Sequence, residues 1–301
     1  MLKYGHCILL FVHIMYALLF VSVLWAFSFG LIKGQLAGIE PSLVAALRLV
    51  LCFTTFAIFC RWKALPRNTL KLVALGAIQF GVMYWAYIQS YQYLPGYLVA
   101  VFTIFTPLYV ILFSGWVNQN FSVKQLFPVI FSIIGAAIIV AKAPQTSDYF
   151  LGFIVLQSAN IAFAFGQVAY KHLNRKIESV NQPASHVTQM TLMYGGGALF
   201  STIVVLIKGS FSTIGSITIE QWQVLIYLGI IASGLGFSLW NFGAKQVKAT
   251  ELAIMNNGYV PLAVIFSLTL FGEQGDIVKL AIGGSIIGFS LWWAQRLADK
   301  T

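Results

Sequence analysis

The sequence predicts an all-α protein that crosses a membrane many times, and three observations predict it. Hydrophobic residues make up 59% of the 301, charged residues only 9%, and the mean hydropathy is +0.85, whereas soluble proteins carry about 25% charge. Apolar stretches long enough to span ~30 Å of hydrocarbon at ~1.5 Å per residue follow one another from end to end. Lys and Arg gather in alternate connections between them, a pattern that marks topology. A water-soluble globule is excluded, because 18 basic and 8 acidic side chains cannot clothe a 33.2 kDa body. The net charge of +10 and pI near 9.5 would suggest nucleic acid in a soluble protein. Here the charges sit between apolar runs, so the expected surroundings are a lipid bilayer and no nucleic-acid partner is expected.

Ten stretches are read in order. The first, 7–31, has an apolar region too long for a cleavable signal and no small-residue cleavage pattern after it, so it is expected to stay as a helix. The second, 41–60, carries Arg48. The third and fourth, 72–94 and 96–116, are followed by a short fifth, 125–141, with Pro128 near its start. The sixth, 149–170, precedes the longest connection, about 171–185; then come 186–207, 223–244, 252–271 and 277–297. This spacing leaves no room for a soluble domain. With the N-terminus inside, 13 of the 18 Lys and Arg fall on the inner side, four fall outside and Arg48 remains in its span. Both termini are therefore expected in the cytoplasm, and an even number of spans agrees.

The two halves of the chain repeat. Ala26-Phe27-Ser28-Phe29-Gly30 recurs as Ala162-Phe163-Ala164-Phe165-Gly166, Pro107-Leu108 as Pro261-Leu262, and Ser132-Ile133-Ile134-Gly135 as Ser285-Ile286-Ile287-Gly288. Five spans per copy is an odd number, so the second copy, 143–301, must be inverted relative to the first, 1–142. Inverted repeats place a substrate site near the midplane between the halves and support alternating access.

These residues resemble the EamA-type members of the drug/metabolite transporter superfamily. Trp25-Ala26-Phe27-Ser28-Phe29, then Lys33, Pro41 and Ala46-Leu47-Arg48-Leu49, is similar to that family's W-G-x-x-F-x-x-x-K, P and A-x-R-F opening. Pro261-Leu262 before Phe271-Gly272-Glu273 is similar to its P-L followed by G-E. Ala26 and Leu49 stand where the family usually has Gly and Phe, and Asn118-Gln119 where a first-half Gly-Glu would fall. The resemblance covers essentially the whole chain. It implies a secondary carrier in a bacterial inner membrane that moves small metabolites such as amino acids, amines or related carboxylates, commonly outward.

Candidate site residues are polar or aromatic groups at depth. Arg48 is either an anion anchor or a structural arginine that ties helix ends or snorkels outward; Lys33, just past the first span, reads as an interfacial anchor. Trp25, Phe29, Tyr84, Trp85 and Tyr87 could wall a substrate site. An offset of 154 carries Pro107 onto Pro261 and also carries Gln79, Met83 and Tyr87 onto Ser233, Phe237 and Asn241. Each triplet steps by four, so each is expected along one helical face towards a shared cavity, with Trp25 and Asn160 as the next candidates. Pro107 and Pro261 are expected to kink their helices as paired hinges. Gly195-Gly196-Gly197 and Gly284 with Gly288 are read as packing within the bundle, which leaves a monomer or a weak homodimer. Cys7, Cys52 and Cys60 lack metal-site spacing, so no metal and no cofactor are expected. No Asp or Glu falls at a span centre and His13 is the one titratable intramembrane group. That excludes carboxylate relays and the convergent acid–base groups an intramembrane enzyme needs. A channel, a membrane-embedded enzyme or an accessory membrane protein is the alternative class.

Overall fold

In the computed structural model, residues 2–119, 123–140, 147–178, 185–247, 252, 255–256, 259–272 and 276–298 are described, and no strand occurs among them. Helix α1 is Leu2–Gln35 and α2 is Pro41–Ala57. Helix α3, Thr69–Gly76, runs through a π-helical segment, Ala77–Val82, into α4, Met83–Ser90. Helix α5, Gly96–Phe102, passes through a 3₁₀ turn, Thr103–Phe105, into α6, Thr106–Asn118. Then come α7, Leu126–Val140, α8, Ser147–Glu178, and α9, His186–Lys208. A second π-helical segment, Tyr227–Leu235, joins α10, Ile219–Ile226, to α11, Gly236–Gln246. Helices α12, Val260–Thr269, and α13, Ile277–Ala298, complete the described chain.

Among the described residues, six stretches are long and apolar enough to cross a membrane: Ala17–Gln35, Thr69–Ser90, Gly96–Asn118, Asp148–Arg175, His186–Lys208 and Ile219–Gln246. Shorter apolar helices lie at Pro41–Ala57, Leu126–Ile139 and Ile277–Ser290. The chain is thus an all-helical polytopic membrane protein. Helix starts are set locally. Pro41 occupies the first turn of α2, and the preceding Glu40 carboxylate accepts from the Leu43 N–H at 2.9 Å. Ser185 caps α9 through the Thr188 N–H, and Thr218 with Gln221 forms a reciprocal capping box on α10.

Elements from the two ends of the sequence interleave. Helix α9 packs on α2 and α3, α8 on α4 and α6, and α11 and α12 on α1. Glycine permits the closest crossing: a Cβ at Gly76 would lie 1.9 Å from the Met193 carbonyl oxygen, and one at Gly196 would lie 1.9 Å from that of Val73. Helices α3 and α9 therefore touch backbone to backbone. Gly135 and Gly283 do the same for α7 and α13. The expectation for Gly284 and Gly288 needs correction, since a Cβ at either meets nothing within 4 Å. Gly283 takes the contact because it is on the α7-facing side, one residue away. The His13 and Cys7 side chains, the Pro261 ring and Glu273 lie outside the described residues.

Candidate functional site

The second π-helical segment organises the middle of the bundle. A wide turn releases carbonyls from the regular i→i+4 ladder, and each must find another donor. The Gly229 carbonyl accepts from Cys52 Sγ at 3.1 Å, that of Ala232 from Trp25 Nε1 at 2.9 Å, and that of Gly234 from the Tyr194 hydroxyl at 2.6 Å. Helices α1, α2 and α9 are thereby tied to one segment. Trp25, held through its indole nitrogen, lies 4.7 Å from the Phe237 ring and 4.9 Å from the Trp240 ring between centroids.

Ser233, in the same segment, receives Arg48. Arg48 Nη2 donates to Ser233 Oγ at 3.0 Å and to the Tyr84 hydroxyl at 3.1 Å, and Tyr84 and Ser233 share a 2.6 Å hydrogen bond. The guanidinium carbon stands 4.5 Å from the centroid of the Tyr84 ring, a cation–π distance. Arg48 is only 2% exposed, so the outward-snorkelling reading is wrong: the side chain points into the bundle because Ser233 and Tyr84 supply polar partners there. Its Nη1 has no hydrogen-bond partner, and no carboxylate pairs with it among the described residues. A buried charge without a counter-charge is costly.

Arg48 borders a cavity of about 70 Å³ that Trp25, Phe29, Tyr84, Tyr87, Phe237 and Asn160 also line. Asn160, from α8, owes its place to the break between α5 and α6. Its Nδ2 donates to the Phe102 carbonyl at 3.1 Å and to Gln157 Oε1 at 3.1 Å, and its Oδ1 has no hydrogen-bond partner among the described residues. The remaining wall includes Ser28, Met83, Thr103, Thr106, Phe163 and Tyr259. The threonines and Tyr259 were not anticipated; the readable signal was Thr-x-x-Thr-Pro, two hydroxyls inside an apolar run just ahead of Pro107. Lys33 lies outside this cavity and donates from Nζ to the Tyr91 carbonyl at 2.7 Å.

Four expected members stand elsewhere, and Trp85 is one of them, since it does not line the cavity. Gln79 and Asn241 are fully buried and bond each other, Nε2 to Oδ1 at 3.1 Å; neither lines the cavity. Ser233 stands behind Arg48. The cause is backbone geometry: Gln79 lies in the first wide segment and Ser233 in the second. A step of four therefore fails to keep them on the faces of Met83 and Phe237. Pro107 stands just after the 3₁₀ turn that interrupts the helical run between α5 and α6, and Pro261 sits in the first turn of α12.

Among known proteins, the EamA-like transporter family matches the chain twice, over residues 13–141 and 150–294. A Pseudomonas aeruginosa protein named "Probable biotin transporter" is 37% identical over 94% of this chain and 98% of its own length. The Escherichia coli K12 "Biotin transporter" is 34% identical, covering 94% of this chain and 95% of that one. A solved crystal structure of a protein superposes with a TM-score of 0.72 over 94% of this chain and 98% of that one. At 16% identity it shows a shared fold alone. Both matches to the family fall on the helices that build and surround the cavity, and the relatives are aligned over nearly their whole length. The chain belongs to the EamA-like transporter family, and it is a membrane transporter rather than an enzyme.

Proposed function

We propose that the protein is a secondary carrier of biotin or a close carboxylate analogue in a bacterial inner membrane, working by alternating access. The observation that carries this reading is the buried Arg48 guanidinium, with Nη1 unpartnered beside an aromatic cavity. A substrate carboxylate would supply the missing counter-charge, and the aromatic walls suit a ring with a hydrocarbon tail. A fixed cation at the centre disfavours amines, which leaves the carboxylate-bearing members of the expected class, and the relatives' names favour biotin among them. Net movement follows the substrate's own gradient.

We read the architecture as ten helices in two inverted five-helix copies, 1–142 and 143–301, with both termini cytoplasmic. The double family match supports it. So do the wide segments, since an offset of 154 carries Ala77–Val82 onto residues overlapping Tyr227–Leu235. The inner excess of Lys and Arg supports the orientation.

The test is counterflow. Proteoliposomes loaded with unlabelled biotin should accumulate labelled biotin transiently, and external lysine or a polyamine should not compete. Exchange of an amino acid without any exchange of biotin would overturn the proposal.

A further inference from the structure

A second cavity, of about 400 Å³, lies at the end of the bundle that holds Lys33, Leu36, Glu40, Tyr91 and Gln92. It is stacked on the central one along the same three helices. Helix α1 gives Phe29 to the central cavity and Ile32 and Lys33 to this vestibule; α2 gives Arg48 and Val44; α4 gives Tyr87, and its C-cap residue is Tyr91. In each helix the two contributions are one turn apart. What lies between is a pair of tyrosines: the Tyr87 and Tyr91 hydroxyls are 2.7 Å apart, Tyr87 lining the central cavity and Tyr91 the vestibule.

The charges follow the same line. Glu40 also borders the vestibule, but its carboxylate is engaged by Lys208 at 3.0 Å. Lys33 has no ion pair among the described residues, and its ammonium is held by the Tyr91 carbonyl at 2.7 Å. Tyr91 meets Tyr87, the Tyr87 ring lies edge-on to Tyr84 at 6.4 Å, and Tyr84 holds Arg48. Two cations without carboxylate partners, one in each cavity, are therefore joined through three tyrosines.

We propose that this vestibule is a second, shallower binding site for the carboxylate substrate, with Lys33 as its anion contact and the Tyr87–Tyr91 pair as the partition before Arg48. The proposal rests on the carboxylate-carrier reading above. A carboxylate arriving at Lys33 exchanges the ammonium's bond to the Tyr91 carbonyl for an ion pair, loosening the tyrosine that closes the way to the central cavity. At about 400 Å³ the vestibule is within the ~300–1,000 Å³ range of small-molecule sites.

In a chain whose Cys7, Cys52 and Cys60 are replaced by Ala, the experiment places a single reporter cysteine, Ala37→Cys, in the vestibule wall and follows its labelling by a small impermeant thiosulfonate with and without biotin. Biotin should slow labelling, and should still do so in Arg48→Met, where the central anion contact is gone. Lys33→Met should abolish the protection and raise the concentration for half-maximal uptake about three-fold, the scale of a partly solvated ion pair; Lys33→Arg should restore both. Protection lost in Arg48→Met but kept in Lys33→Met, or kept in both, would overturn the proposal. Absence of biotin uptake by the unsubstituted chain would sink the biotin reading instead. The same labelling with octanoate, an apolar tail ending in a carboxylate, would then decide on the vestibule.

Discussion

The Gln79 side-chain amide donates to Asn241 Oδ1 at 3.1 Å with both residues fully buried, so the wide segment after α3 is stitched to α11 away from the cavity. This pair carries structure. Gln79→Leu and Asn241→Leu should each lower thermal stability in detergent without changing which substrates are carried. The double-mutant coupling should be near the ~0.6 kcal/mol average for interhelical hydrogen bonds in a membrane protein. A changed substrate profile with unchanged stability would return both residues to the site.

Arg48 should behave in the opposite way. A charge-assisted contact to a substrate carboxylate is worth about 1.5–3 kcal/mol, or roughly ten- to a hundred-fold in half-saturation. Arg48→Gln should show that rise for biotin while the protein keeps its level in the membrane, since removing an uncompensated buried charge relieves the fold. Biotin amide, lacking the carboxylate, should compete equally with the substituted and unsubstituted proteins; competition kinetics in vesicles read this directly.

Glycine positions separate by what surrounds them. Gly196→Ala places a Cβ 1.9 Å from the Val73 carbonyl oxygen, which forces α3 and α9 apart and should abolish the folded peak on size exclusion. Gly284→Ala meets nothing within 4 Å and should leave the protein intact, with the ~1 kcal/mol helix preference of Ala over Gly as the expected gain.

Glu40 and Lys208 give a pH dependence. Burial pushes the Glu40 carboxyl up, but hydrogen bonds from Lys208, the Leu43 N–H and Ser42 outweigh it, and the net shift is below the ordinary 4.5. A lowered folded-state pKa contributes stability that is complete above that ordinary value and is lost as pH falls through the folded one. The pair is partly exposed, so its worth is about 0–1 kcal/mol. Melting temperature measured from pH 7 to pH 3.5 should fall more for the unsubstituted protein than for Glu40→Gln; parallel curves would remove Glu40 from the account.

The cavity wall was largely readable from the amino-acid sequence because aromatic groups and an arginine are conspicuous inside apolar spans. Trp25, Phe29, Arg48, Tyr84, Tyr87 and Phe237 come together around it. Gln79, Ser233 and Asn241 were misplaced because a stripe read in steps of four assumes 3.6 residues per turn. The widened segments at Ala77–Val82 and Tyr227–Leu235 break that register, and no local residue pattern announces them. Tyr259 and Thr103 escaped notice for a related reason: their positions depend on where the chain leaves the helix ahead of a proline.

The central cavity's volume of about 70 Å³ amounts to a couple of waters at ~30 Å³ each, far below what the proposed substrate, a bicyclic vitamin, would occupy. On that proposal the substrate would act as a wedge, admitted by a wider form of the bundle and stabilising it. Were that form present about 1% of the time, the measured affinity would be about a hundred-fold weaker than the intrinsic one. A substitution that holds the bundle wide would then bind more tightly yet cycle more slowly, so that affinity and turnover shift in opposite directions.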